Sequence, residues 1–462
     1  MTVIKRHYVA IDGRLVHLRW AGQGPALLLL HQSPRSSEEL EPLIAALAAD
    51  FTVIAPDTPG NGLSDPLAQR DPEIEPFADA LERLLNRLGI AKCGVYGYHT
   101  GAAIGCGLAL RHPDRVSFAV LNGLPGFDPD ERANILANYL PPFEPRWDGS
   151  HLAWAWARLR EQTIFFPWYD TRSSARMDFD LPPPAALQQA VLDLLRAGDH
   201  YRDAYGAAFR LESPKVARGL RVPTAIVATA RDPLRPHLDR ISNLPDHISV
   251  AEIAPGNEAV RDCLLAMQAL HPAPGLPALA ATKTSRHYID LGSSQIHVRQ
   301  FGSGSGRPLV LVDARYGSGR TLARIADAAA IGRTVFAPCL PGCGESSDSS
   351  TLNSGFASIK SLFPEDAEIS WIGNSRLDPE QILAPEMGGG HLLSVWQKVR
   401  DDHLFAPYVA SLRMNIKWGS RPSELALLQE ETIAALLVRV AITSPRQVSK
   451  KLDPNGWRSH NT

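Results

Sequence analysis

Gly97-Tyr98-His99-Thr100-Gly101 holds a histidine between two glycines, directly after the apolar run Cys93-Gly94-Val95-Tyr96. An imidazole exposed on a turn from strand to helix can take or give a proton at neutral pH, because its ordinary pKa lies near about 6.5. Other polar groups also follow apolar runs: His31, Gln32 and Ser33 come after Ala26–Leu30, Asp57 after Thr52–Ala55, and Asp232 in Ala230-Arg231-Asp232-Pro233 after Thr224–Ala228. Metal and phosphate chemistry lacks comparable signals. No histidine pair has zinc-helix spacing, no acidic cluster resembles a calcium loop, and Gly302-Ser-Gly-Ser-Gly has neither the lysine nor the context of a phosphate loop. No metal or organic cofactor is expected.

The elements that position these groups come from a chain of 462 residues, 44% hydrophobic and 21% charged, which is an ordinary globular composition. At about 150 residues per domain the length suggests about three domains, or two large ones. Forty-seven basic against 49 acidic residues give a formal charge of -2, without the basic excess of a nucleic-acid or anionic-membrane binder. The expected partner is therefore a small-molecule substrate. Five cysteines without CxxC spacing argue against a disulfide framework. The N-terminus has no apolar core behind its charges, and no apolar run reaches membrane-span length; a cytoplasmic protein is expected.

Tyr8–Ile11 and Leu15–Arg19 form an expected hairpin around Asp12-Gly13. The runs at Ala26, Thr52, Cys93, Ser117 and Thr224 read as buried parallel strands, and Glu38–Ala49 and Pro76–Leu88 as helices between them. This alternation specifies an α/β class with a doubly wound, mostly parallel sheet. Residues 127–220 form a helix-rich aromatic insertion, expected to cap the carboxyl ends of the strands, where such sheets place their sites.

The segment from His7 aligns with the segment from His287, and Thr52-Val-Ile-Ala-Pro and Pro59-Gly-Asn-Gly recur as Thr334-Val-Phe-Ala-Pro and Pro341-Gly-Cys-Gly. Farther on, Gly149-Ser-His151 recurs around His391, and Arg176-Met177 as Arg413-Met414. The chain therefore reads as an internal duplication. The expected organisation is a catalytic domain over 1–275, a Pro-rich linker over 276–285, and a degenerate repeat over 286–462. The strand, turn and helix around Val95–Arg111 have no evident counterpart in the second copy. That copy is expected to bury surface, complete a cap or make a homo-oligomer interface.

The first copy resembles the α/β-hydrolase superfamily over residue 7 to about residue 270. Leu30-His31-Gln32-Ser33-Pro34 matches its oxyanion loop, Asp57-Thr-Pro-Gly-Asn-Gly the following turn, Gly97–Gly101 its nucleophile elbow, and Ala230–Pro233 its acid turn. The resemblance implies that the Gln32 and Thr100 N–H groups form an oxyanion hole and that Asp232 is the supporting acid. Two triad positions depart from the pattern. His99 replaces the elbow nucleophile, and Asn257 stands where the usual histidine follows the last strand.

In one reading His99 is a base or nucleophile oriented by Asp232 or Asn257; in the other it fills an inactive cradle, and the protein binds a ligand or serves as a scaffold. Ser33 is a candidate displaced nucleophile. His31 is expected to brace the loop. Tyr98, His151, Trp154, Phe165 and Trp168 are candidate contacts for an aromatic or lipophilic substrate, although the recurrence of His151 as His391 favours a structural role for it. The expected function is cofactor-independent hydrolysis of an ester, amide or activated C–C bond. The alternative is proton abstraction of lyase or decarboxylase type.

Overall fold

The computed structural model describes residues 2–276, 284–313, 319–320, 322–339, 344–347 and 361–372. Contacts divide the chain into two compact units, Met1–Thr284 and Ser285–Thr462. The expected linker lies mostly outside the described residues, as do His391, Arg413 and Met414.

The first unit is built on strands β1 (Lys5–Ile11), β2 (Arg14–Ala21), β3 (Ala26–Leu30), β4 (Thr52–Pro56), β5 (Cys93–Tyr98), β6 (Val116–Asn122), β7 (Thr224–Thr229) and β8 (Ile248–Ile253). They form one sheet in the order β1-β2-β4-β3-β5-β6-β7-β8. The β1–β2 and β2–β4 pairs are antiparallel and every later pair is parallel. Asp12 and Gly13 both take positive φ, 51° and 76°, as a primed hairpin turn demands. All residues of β3 and β6 are buried, the signature of a parallel sheet covered on both faces.

Helices α1 (Glu41–Leu47), α2 (Ile74–Arg87) and α3 (Thr100–Arg111) follow β3, β4 and β5. The α2 helix buries Ile74, Phe77, Ala78, Leu81, Leu84 and Leu85, a stripe at three- and four-residue spacing. Every residue of α3 from Thr100 to Ala109 is buried, so its small side chains let it press between α2 and the sheet. Between β6 and β7 lie α4 (Pro129–Asn138), α5 (Ser150–Gln162), α6 (Pro184–Ala197), α7 (Tyr201–Arg210) and α8 (Ser213–Val216). The helices α4 to α7 share a separate aromatic core that includes Tyr139, Leu159, Leu194, Tyr201 and Phe209. Asp193 on α6 ties this insertion to the loop after β3: Arg35 Nε lies 2.9 Å from its Oδ2, and Ser36 Oγ donates to Oδ1 at 2.9 Å. The short α9 (Arg235–Leu238) and α10 (Asn257–Leu270) complete the unit.

The second unit contains β9 (Arg286–Leu291), β10 (Ser294–Phe301), β11 (Gly306–Asp313), α11 (Ala323–Ala329), β12 (Arg333–Pro338) and β13 (Glu368–Ile372). Its sheet order is β13-β11-β12-β10-β9. The β9–β10 and β10–β12 pairs are antiparallel, whereas β11 is parallel to both β12 and β13. β13 thus lies beside β11 as β5 lies beside β3, which corrects the expectation that this strand has no counterpart. Ladder pairing depends on backbone groups, so Glu368-Ile-Ser-Trp-Ile can occupy the position without resembling Cys93-Gly-Val-Tyr-Gly. The turn and helix that would follow lie outside the described residues.

Asp57, just beyond β4, organises the middle of the first unit. Its carboxylate meets His17 Nδ1 at 2.8 Å and accepts from Ser37 N, Leu63 N and Ser37 Oγ. Burial opposes its charge, but His17 and Arg19 outweigh that and hold the carboxyl far below its ordinary value. Asp57→Ala leaves His17 and several donors buried without their acceptor and is expected to cost about 3–5 kcal/mol, measured as a lower urea midpoint.

Burial lowers the His17 and His31 imidazoles, and burial with a contribution from Arg240 brings His237 down to about 4. The unfolded chain then binds these protons first, so stability is full above about pH 6.5 and falls as pH drops toward about 4. Urea midpoints measured from pH 7.5 to 4.5 should decline steadily, and His237→Gln should flatten part of that decline.

Candidate active site

His99 sits at φ 50° and ψ −108°, between the end of β5 and the start of α3. This strained geometry depends on glycine at two neighbours. A Cβ on Gly97 would strike the Gly101 carbonyl, and one on Gly101 would strike the carbonyls of Leu30 and His31. The turn is fastened by His99 N donating to Asn122 O at 2.8 Å, and Gly123 N donates to Val227 O at 2.8 Å on the next strand. The ends of β5, β6 and β7 are thereby drawn to one edge of the sheet.

The His99 ring stacks on Tyr98 with centroids 4.0 Å apart. Its Cδ2–Nε2 edge meets Gly123, where a Cβ would collide with the ring. His99 Nε2 lies 2.9 Å from Asp232 Oδ2. The loop after β7 presents this carboxylate, and Leu234 N donates to its Oδ1 at 2.8 Å. Burial pushes the Asp232 carboxyl up, but the charge and hydrogen bond of His99, with the Leu234 amide, hold it below its ordinary value. An ionised Asp232 accepts the Nε2 proton and leaves Nδ1 as the ring atom able to take one.

The loop after β3 departs from the expected oxyanion hole. Gln32 N donates to Glu39 Oε1 at 2.9 Å, and Gln32 Nε2 donates to Glu39 Oε2 at 3.0 Å. The amide expected to receive an oxyanion is therefore already bonded to a carboxylate. Burial raises the Glu39 carboxyl, with Arg35 and the two Gln32 bonds offsetting only part of that effect. Thr100 opens α3, where N–H groups have no acceptor within their own helix, and it faces the cavity described below. Glu39 escaped sequence reasoning because nothing in Ser36-Ser37-Glu38-Glu39 marks which carboxylate turns inward.

Asn257 does not orient His99. It is the exposed first residue of α10, and among the described residues no hydrogen bond joins it to His99 or Asp232. Asp232 reaches the imidazole directly, so no relay is needed. Ser33 is 1% exposed, its Oγ has no hydrogen-bond partner among the described residues, and it is not among the residues that line the cavity over His99. That position does not suit a nucleophile. His31 Nε2 accepts from Thr58 N at 2.9 Å, so Nδ1 carries the proton and donates to Gln32 O at 2.7 Å. It ties the loop to the turn beyond β4.

A cavity of ≈ 100 Å³ lies over His99. Gln32, Thr100 and Pro233 border it on the sheet side, with Tyr139, Gln162 and Phe166 from the insertion. His151, Trp154, Phe165, Trp168 and Tyr98 are absent from this lining, a correction to the expected substrate contacts. Trp154 and Trp168 instead surround the Arg158 guanidinium together with Tyr139 and Tyr201, at 5.2–6.0 Å. Such cation–π contacts stabilise a charge that is only 1% exposed. His151 Nδ1 accepts from Arg146 N at 3.1 Å, Phe165 bridges to Arg176, and Tyr98 touches the site through His99. Tyr205 and Phe209 also line the cavity, and their four-residue spacing from Tyr201 was the available sequence signal for that face of α7.

Residues 25–253 match the model of the alpha/beta hydrolase fold family. The chain is 28% identical over 235 residues to a soluble epoxide hydrolase of Corynebacterium sp. (strain C12), covering 50% of this chain and 79% of that protein. It is 36% identical over 108 residues to an uncharacterized hydrolase of Saccharomyces cerevisiae, covering 23% of this chain and 37% of that one. The crystal structure of the enol-lactonase from Burkholderia xenovorans LB400 superposes with a TM-score of 0.44 at 20% identity, over 57% of this chain and 99% of that chain. By the match over residues 25–253, the first unit belongs to the alpha/beta hydrolase superfamily.

Gly123→Ala places a methyl group against the His99 ring and should separate it from Asp232. The expected signature is a changed His99 imidazole NMR resonance in a protein whose far-UV circular dichroism is unaltered.

Proposed function

We propose that the first unit is a cofactor-independent hydrolase of a small, largely apolar organic substrate, with His99 as the base that activates water. The observation that carries this reading is the 2.9 Å His99–Asp232 hydrogen bond at a strained turn bordering the cavity. Asp232 fixes the ring tautomer and stabilises the imidazolium. Nδ1 takes a proton from water while the resulting hydroxide adds to the electrophilic carbon, and the Thr100 N–H is the donor available to the oxygen that gains charge. The insertion supplies an apolar wall that limits the volume and excludes bulk water. The chemistry of an ester, amide or activated C–C bond fits this scheme, because none of these needs an acyl-enzyme when water is the nucleophile.

The bonds between Gln32 and Glu39 favour a second reading. A carboxylate on the Gln32 amide repels an oxyanion, so a reaction that needs two amide donors is disfavoured there. Proton abstraction by the same His99, without addition of water, uses one base and fewer charge-stabilising groups. The two reactions differ in what solvent leaves in the product. Hydrolysis in ¹⁸O-water incorporates the label, whereas proton abstraction in D₂O exchanges a carbon-bound hydrogen.

With a panel of small aryl esters, amides and β-diketones, His99→Ala is expected to lower kcat by about 10²–10⁴-fold, and Asp232→Asn to lower it in the same direction. A serine-directed fluorophosphonate should leave the protein unlabelled. Rapid labelling at Ser33, or unchanged turnover by His99→Ala, would remove the histidine-base reading.

A further inference from the structure

His297 on β10, Cys339 just beyond β12 and Glu345 in the following turn converge inside the second unit. Cys339 Sγ is 3.5 Å from His297 Nδ1 and 3.3 Å from Glu345 Oε2, and Nδ1 and Oε2 are 3.5 Å apart. His297 and Cys339 are 0% and 1% exposed, and the Glu345 side chain is 9% exposed. We infer that these three side chains form a mononuclear zinc site, with Nδ1, Sγ and Oε2 as ligands and a fourth position left to solvent.

The triangle has the size that zinc requires. Tetrahedral bonds of about 2.3 Å to sulfur and about 2.0–2.2 Å to nitrogen and oxygen give ligand-to-ligand edges of about 3.3–3.7 Å, the longer ones to sulfur. The sulfur–nitrogen and nitrogen–oxygen edges of 3.5 Å lie in that range, whereas the 3.3 Å sulfur–oxygen edge must open by about 0.2–0.4 Å, a small adjustment. Mixed imidazole, thiolate and carboxylate ligands suit a borderline-soft cation, and hard cations such as magnesium or calcium avoid thiolate. Neighbouring groups hold the ligands as outer partners of a metal site do. Gly319 N donates to Cys339 Sγ at 3.3 Å, a contact that offsets part of the effect of burial, which pushes the thiol well above its ordinary value. Arg299 Nη2 lies 3.5 Å from Glu345 Oε1, the oxygen turned away from the triangle. Ser346 Oγ accepts from His297 N at 3.0 Å and donates to Cys339 O at 2.8 Å, which locks the two backbones together.

The matching place in the first unit shows what is distinctive here. His17 and Asp57 share the backbone arrangement: Asp57 N donates to His17 O at 2.9 Å, as Cys339 N does to His297 O at 2.9 Å, and Ser64 Oγ accepts from His17 N as Ser346 Oγ does from His297 N. There, one carboxylate meets an imidazole and accepts from two backbone N–H groups and a hydroxyl, a node held by protons. In the second unit a thiol replaces that carboxylate, and a different residue brings an acid beside it, so three ligand atoms lie 3.3–3.5 Å from one another. Binding is balanced by release of one proton: the Cys339 S–H bond breaks, a zinc–sulfur bond forms, and the proton leaves to solvent, while His297 and Glu345 bind through lone pairs they already have.

The test uses the full chain, stripped with a chelator and titrated with Zn²⁺ against a chromophoric competitor, with Co²⁺ as the spectroscopic probe. One equivalent of Zn²⁺ per chain is expected, and Co²⁺ should give a sulfur-to-metal charge-transfer band in the near ultraviolet. Cys339→Ser should abolish the band without changing far-UV circular dichroism. Glu345→Gln, which preserves side-chain volume, should weaken Zn²⁺ binding by about tenfold or more. Cys263→Ser, in the first unit, should change neither measurement. Absence of stoichiometric binding, persistence of the band in Cys339→Ser, or undiminished affinity in Glu345→Gln would each overturn the site and leave a hydrogen-bonded trio. If Cys339→Ser fails to fold, the Glu345→Gln titration decides.

Discussion

At the end of β5 the backbone turns so tightly that Gly97 has no room for a side chain against the start of α3, nor Gly101 against the end of β3. These contacts force the reversal from strand to helix and hold His99 at a positive φ, a conformation that other residues adopt only under constraint. The ends of β6 and β7 then join through the His99 and Gly123 amides, and the loop after β7 brings Asp232 against the imidazole. The site is therefore assembled from strand ends, and its geometry is as rigid as the buried sheet beneath it. The insertion above has its own aromatic core and is tied to the β3 loop by Asp193.

The chemistry at this turn follows from which groups compete for which donors. Asp232 is committed to His99 and to the Leu234 amide, which leaves the imidazole oriented and one ring nitrogen available. Glu39 is committed to Gln32 and removes the amide that an oxyanion would otherwise use. An oriented histidine beside an ionised carboxylate is the arrangement on which the proposed proton-transfer reading rests. The cap aromatics divide in the same way. Trp154, Trp168 and Tyr201 lie around the buried Arg158 charge, Tyr205 and Phe209 border the cavity, and Tyr139 does both.

The two units place related backbone patterns under different side chains. In both, a histidine on the second strand is bonded through its backbone to the residue after the crossing strand and to a serine beyond it. The first unit uses an aspartate there as an acceptor for several donors, whereas the second places a thiol beside a glutamate. Backbone pairing can survive such exchanges because the ladder does not depend on side-chain identity, while the chemistry at the node depends on it entirely.

Sequence alone determined the alternation of buried strands and amphipathic helices, the hairpin at Asp12-Gly13 and the turn at Gly97–Gly101, because each rests on local periodicity or on a backbone conformation that few residues tolerate. It also singled out His99 and Asp232, which occupy the ends of recognisable runs. It did not reveal Glu39 on the Gln32 amide, the separation of Trp154 and Trp168 from the cavity, the exposed position of Asn257, or the strand at Glu368. Nor did spacing reveal the meeting of His297, Cys339 and Glu345, which are 42 and six residues apart. Tertiary structure decided these because they depend on which side chains from distant segments compete for one donor or one volume. That competition is resolved by packing in three dimensions and leaves no period in the chain.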